Sequence, residues 1–424
     1  MAVVVFGLVL AGCGGSGPNH APSGSSLGSG PGAPTIAQVT DVLTRHAAAV
    51  LARSPSAFLA DVDTADTAAD FRARQRAQIA NIAQVPLQSW RYSVGAPVTE
   101  PAAGTAAAKR LGAPALIVRV SLTYALQVVD AQPSVHDLWW TFTRRHGHVY
   151  LAGDSDLAEL GGTSWRGPWD FGPLVVARGA SSLVLGHPQA ASQLVPLAAI
   201  VDAVAPVVTA IWGTGWSRQV AVLVPASDAE LSALAGSGSV LTDISAITVS
   251  DAPDPVNGTR TGQRLVLNPS ALSKLTAAGL RVVVQHELTH IASASATGQA
   301  SPRWLVEGLA EYVANLGSPQ PVSVAASELR KEVVGGTLPA ALPSEADFAP
   351  GAARLPQVYE EAWLACRFIA ARAGQDGLVT FYRLVGASPD VAATALSAAL
   401  RQVLHLTPAA FTAQWRSYLV GTLG

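Results

Sequence analysis

An α+β fold is what this sequence predicts, on three observations. Helical periodicity comes first along the chain, a group of strand-like runs follows it, and a smaller set of strands then leads into a long helical tail. At 424 residues the chain has room for two domains, each with its own core. Nearly half of it is hydrophobic (49%) and only 13% is charged, a balance that favours folding over disorder.

The first 34 residues stand apart. "MAVVVFGLVLAGCGGSG" is an apolar stretch too short to span a bilayer, which reads as a signal-peptide core. Its Leu10-Ala11-Gly12-Cys13 ending resembles a bacterial lipobox, although no Lys or Arg precedes the apolar part. That resemblance implies cleavage before Cys13, acylation of Cys13 and a stable hold on the outer face of a membrane. Residues 14 to 34 are Gly, Ser and Pro almost throughout, a flexible tether.

Residues 35 to 160 form the first folded unit. "TIAQVTDVLTRHAAAVLAR" and "ADFRARQRAQIANIAQ" repeat apolar positions at helical spacing. "SWRYSVGA", "ALIVRVSLTYALQVVD", "DLWWTFTRR" and "HVYLAGD" read as strands, with a hairpin turn at Gly147. His146 and His148 flank that turn and read as solvated, since no third ligand accompanies them. In outline the unit is similar to the NTF2-like or cystatin-like superfamily.

"ELGGTSWRGPWDFGP" (159–173) is a break that joins this unit to the second, residues 161 to 424. There "LVVARG", "SLVLGH" and "RQVAVLVPAS" read as strands, and "QRLVLNPSALSKL" as a strand running into a helix. The apolar run 194–212 has the length of a membrane span, but carries Asp202, Pro196 and Pro206 and reads as a buried helix. From residue 280 onward the pattern is mainly helical.

Composition excludes some functions. A net charge of −2 with no long basic run argues against a nucleic-acid partner. Two cysteines, Cys13 and Cys366, rule out a disulfide framework and a cysteine-rich zinc site. Cys366 lies among apolar helical neighbours and reads as a core residue.

The chemistry concentrates in "VVVQHELTHIASA" (282–294), where His286, Glu287 and His290 interrupt an apolar run. Residues i and i+4 share a helix face, so His286 and His290 can aim ring nitrogens at one point. A tetrahedral zinc accepts two such nitrogens at about 2.0–2.1 Å. Glu287 projects beside them, placed to reach a water on the ion without being a ligand. This is the His-Glu-x-x-His arrangement of zinc peptidases.

"HELTH" followed by "WLVEGLAEY" resembles the gluzincin metallopeptidases of the peptidase MA-like group. The resemblance covers about residues 220 to 370. It implies a zincin-like domain with a small sheet, an active-site helix and a helical C-terminal lobe. It further implies that Glu307 is the third ligand of one Zn2+, with His286 and His290. Tyr359, at the start of a later helix, is the candidate oxyanion donor that the family implies. It also implies an edge strand beside the active-site helix that pairs with substrate, for which "RLVLN" (264–268) is the candidate. The Gly-x-Met-Glu-Asn motif of the family's aminopeptidases is missing, which leans towards internal cleavage. Glu311 lies one turn beyond Glu307 and can accept the outer N–H of a ligand histidine.

The expected function is therefore a lipid-anchored, extracytoplasmic zinc metallopeptidase acting on a peptide or protein. Glu287 would serve as general base and then return the proton to the leaving amine. Two alternatives stay open: an inactive peptidase-fold surface protein, and a zinc hydrolase of a non-peptide amide or ester.

Overall fold

The computed structural model describes residues 32–98, 100–236, 244–251 and 260–424. Cys13, the expected acylation site, and the tether up to residue 31 lie outside these residues. The fold is α+β, as the sequence predicts.

Three helices come first, α1 (Ile36–Leu51), α2 (Pro55–Ala60) and α3 (Ala69–Asn81). Helix α1 opens on a capping box, Thr35 with Gln38, and buries Val39, Val42, Leu43 and Val50 along one face. Strands β1 (Leu87–Pro97), β2 (Ala115–Leu126), β3 (Ser134–Arg145) and β4 (His148–Gly153) follow, with α4 (Pro101–Leu111) between the first two. They form an antiparallel sheet in sequential order. The turn between β3 and β4 has two residues, and both adopt positive φ, His146 at 48° and Gly147 at 82°. A two-residue turn of this hand matches the twist of the strands it joins.

The break after β4 lays Trp169 into the first unit, 5.1 Å from the Trp90 ring and 5.2 Å from Tyr124. Beyond it, β5 (Val175–Arg178), β6 (Ser182–Gly186), α5 (Ala191–Trp212), β7 (Val220–Val224), α6 (Asp228–Ala235), β8 (Ala246–Val249) and β9 (Arg264–Leu267) build a second, mixed sheet. Its order is β5-β6-β7-β9-β8, with β8 antiparallel to β9 at the edge. The strand 264–268 is thus internal, contrary to its reading as the edge. Its outer flank is taken by β8, four residues that carry no distinct sequence signal.

This second sheet is apolar on both faces, and the alternation along each strand says why. Val184, Val222, Ala246 and Leu265 join the core formed with α5 and the later helices. Leu183, Leu185, Ala221, Leu223, Ile247 and Val266 join the core of the first unit, with Trp90, Tyr124 and Trp169. The two parts of the chain therefore share a continuous apolar layer. Buried Arg264 on β9 crosses it as well, with its two terminal guanidinium nitrogens on Asp130, at 2.6 and 2.7 Å.

Helix α5 is long and apolar enough to cross a membrane. It packs Leu194, Leu197, Val201, Val204 and Val208 into the core and lies against β6 and against α8 (Ala277–Ser293), which follows the short α7 (Pro269–Leu272). Asp202 on α5 accepts the backbone N–H groups of Ala180 and Ser181 at 2.7 Å each. Helices α9 (Arg303–Ala314), α10 (Val322–Ala325), α11 (Ser327–Val334), α12 (Leu355–Gly386), α13 (Ala392–Ala399) and α14 (Pro408–Leu423) complete the chain. Cys366 is buried in α12.

Candidate metal centre

Two helices and one strand assemble the site. Helix α8 begins at Thr276, whose Oγ1 accepts from Gly279 N at 3.1 Å. It sinks Val283, Val284, Leu288 and Ile291 into the core, which carries His286, Glu287 and His290 inside with them. Helix α9 crosses it with Trp304, Leu305, Leu309 and Val313 in the same core. Its approach to α12 is unusually close at Gly308. A Cβ there would fall 2.3 Å from the Ala362 carbonyl oxygen and 2.9 Å from Cys366 Sγ. Only glycine fits, and its neighbour Glu307 is thereby held against α8.

The three donors converge. His286 Nε2 and His290 Nε2 lie 3.0 Å apart, and Glu307 Oε2 lies 3.4 Å from the first and 3.6 Å from the second. Ligands of a tetrahedral ion with bonds of about 2.1 Å stand about 3.4 Å from one another. His286, His290 and Glu307 are all buried, and neither carboxylate oxygen of Glu307 has a hydrogen-bond partner among the described residues. A buried carboxylate without hydrogen bonds is costly, and the one permanent cation that meets it among the described residues is the Arg303 guanidinium, 3.6 Å from Oε1. Together His286, His290 and Glu307 form a group that can hold a metal ion.

The electrostatics agree. Burial alone would raise Glu307, but the two imidazoles, whose Nε2 atoms stand 3.4 and 3.6 Å from Oε2, outweigh it and hold the carboxyl far below its usual range. Burial would likewise lower His286, but Glu307 and Glu311 reverse this and raise the ring to about 10.

Glu311 stands behind His286, with its Oε1 3.3 Å from Nδ1, and accepts from Asn315 Nδ2 at 3.2 Å. Glu287 is fully buried beside the donors. Thr248 Oγ1 on β8 donates to Glu287 Oε2 at 2.8 Å, while Oε1 has no partner among the described residues. Burial raises this carboxyl, against the charges of His290 and His286. The structure thus brings together His286, Glu287, His290, Glu307 and Glu311.

Tyr359 is placed differently. It is buried near the start of α12 with its ring edge-on to Phe348 at 5.3 Å. Phe348 in turn lies beneath Arg303, whose Nε is 3.6 Å from Glu307 Oε1. A second tyrosine, Tyr382, bonds Thr297 Oγ1 at 2.6 Å, and burial pushes its hydroxyl up to about 12. Thr297 lines, with His290 and Thr248, a cavity of about 10 Å³. Neither Thr248 nor Tyr382 carries a sequence signal, since each reaches the site only through the tertiary fold.

No protein-family model matches the chain, and no curated protein matches it.

Proposed function

We propose that the chain is a zinc-dependent metallopeptidase, anchored by lipid at Cys13 to the outer face of a bacterial membrane. The observation that carries the reading is the meeting of two imidazoles and one carboxylate at a buried point, with a further carboxylate, Glu287, alongside. Two nitrogens and one oxygen suit zinc, and three protein ligands leave a position for water or substrate, which marks a catalytic rather than a structural site. Bound there, zinc would lower the pKa of a water and polarise a scissile carbonyl.

The chain's own residues do the rest. His286, His290 and Glu307 hold the ion. Glu311 orients His286 through Nδ1 and fixes which nitrogen faces the metal. Glu287 takes the proton from the attacking water on the oxygen that Thr248 leaves free and passes it to the leaving amine. Thr248 fixes the carboxylate's rotation. Strand β8 ends the second sheet among the described residues, and an extended peptide adding beside it would lie along the strand that carries Thr248.

The test is cleavage of a peptide library by the wild type and by Glu287→Gln. Equal zinc content, with turnover lost in the variant, is the expected result. Equal turnover in the two would remove Glu287 from the mechanism. Zinc-dependent turnover of esters or non-peptide amides, with no peptide cleaved, would redirect the substrate class.

A further inference from the structure

Two cavities share Arg260, Gln263 and Ala294 in their walls. The smaller, already described, reaches His290 and Thr248. The larger, about 220 Å³, extends away from the donors to Trp216 after α5 and to Asp130 and Gln132 in the β2–β3 connection. The first folded unit thus supplies one wall of the cavity that shares Arg260 with the one at His290.

The polar groups around this space are unevenly satisfied. Arg260, half-buried where the cavities meet, has no hydrogen bond or ion pair among the described residues, and burial lowers its pKa with nothing opposing. The nearby carboxylates are already engaged. Asp130 is held by the two terminal guanidinium nitrogens of Arg264, and also accepts from Leu126 N at 2.8 Å. Asp251 accepts from Ser134 Oγ at 3.0 Å and from Thr261 Oγ1 at 2.9 Å. Trp216, only 9% exposed, carries an indole N–H that has no partner among the described residues. A partly desolvated guanidinium without a counter-ion among the described residues is costly as it stands. It is offset by one kind of ligand, an anionic oxygen acceptor. The planar fork of arginine matches a carboxylate in particular.

We propose that this junction cavity is a recognition subsite for a substrate carboxylate, with Arg260 as its principal contact. The inference rests on the peptidase reading for its substrate class: a peptide bearing a carboxylate to one side of the scissile bond. A free C-terminus and an acidic side chain present the same chemistry. Arg260 is a specificity residue here and takes no part in bond cleavage.

The experiment measures binding and turnover separately, on the full chain. Three fluorescein-labelled hexapeptides of otherwise equal sequence serve as probes: a free C-terminus, its C-terminal amide, and an amide with one internal glutamate. Affinities are measured on zinc-loaded Glu287→Gln protein and on the same protein carrying Arg260→Gln or Arg260→Lys. At least one carboxylate peptide should bind about 10- to 100-fold tighter than the neutral amide, a charge-assisted contact. Which of the two does so identifies the source of the carboxylate. Arg260→Gln should abolish that ratio and Arg260→Lys restore part of it, with zinc content unchanged. Equal affinity for all three peptides would overturn the proposal, as would a ratio that survives in a zinc-loaded Arg260→Gln protein. Cleavage by protein retaining Glu287 is followed in parallel. Arg260-dependent binding without any cleavage would leave the carboxylate site standing and bring down the peptidase reading.

Discussion

Thr248 on the edge strand of the second sheet donates a 2.8 Å hydrogen bond to Glu287 Oε2, two residues 39 positions apart in sequence. The bond ties the orientation of the proposed base to the strand along which a substrate would lie. Thr248→Val removes the donor at nearly constant volume. The expected outcome is a drop of about 10-fold or more in kcat, with KM and zinc content little changed, since a hydrogen bond to a charged group is worth about 1.5–3 kcal/mol. Thr248→Ser should recover most of the activity. A variant that loses KM instead would place Thr248 in substrate binding.

Gly308 bears on the same site from behind. Gly308→Ala drives a methyl group into the Ala362 carbonyl oxygen, so α9 and α12 must part. We expect a loss of about 1–3 kcal/mol in stability, typical of overpacking. Weaker zinc binding should accompany it, because Glu307 moves with its neighbour. Urea unfolding and chelator competition measure the two effects.

Glu311→Gln keeps the shape of the side chain but removes the negative charge 3.3 Å from His286 Nδ1. Zinc affinity should fall about 10- to 100-fold, the usual cost of losing a partner of a ligand histidine. Unchanged affinity would reduce Glu311 to a helix-surface residue.

Across the junction of the two parts, Asp130→Asn leaves Arg264 charged, buried and short of its counter-ion. That should cost on the order of 3–5 kcal/mol. Replacing both, Asp130→Leu with Arg264→Met, should recover much of the loss, as apolar pairs of similar volume often do. Thermal unfolding of the two variants distinguishes an ion pair from simple packing.

The pH dependence of stability has a defined contributor in His187. Its Nε2 lies 2.9 Å from both oxygens of Glu230, and that bond raises the ring above 6.5 despite burial. A raised folded pKa stabilises fully below the unfolded value and fades as pH climbs through the folded one. The stability gap between wild type and His187→Gln should therefore be widest below pH of about 6.5 and shrink above it. A gap that widens with pH would show the opposite protonation.

Much of this was legible in the sequence, and the reasons are local. The four long strands of the first sheet announce themselves by β-branched and aromatic runs, and Gly147 by its place between two of them. His286, Glu287 and His290 stand out because polar groups in an apolar helix need a reason, and Glu307 because "WLVEGLAEY" resembles the gluzincin motif that follows them. What stayed hidden is non-local or featureless. Helix α4, "PAAGTAAAKRL", is too rich in alanine for a clear periodicity. Strand β8 is four residues long, so the neighbouring strand 264–268 reads as the edge although β8 covers it. The Asp130–Arg264 pair spans 134 positions, and Arg260 gains meaning only from the cavities it lines.

Everything proposed for this site requires His286, His290 and Glu307 to hold one zinc ion. Metal analysis with X-ray absorption on zinc-supplied full-length protein tests it most directly. The predicted result is one zinc per chain, with two imidazole nitrogens at about 2.0–2.1 Å and a carboxylate oxygen, and a large loss of affinity in Glu307→Ala. Protein that takes up no zinc, or a Glu307→Ala variant that binds it as tightly as wild type, would contradict the claim.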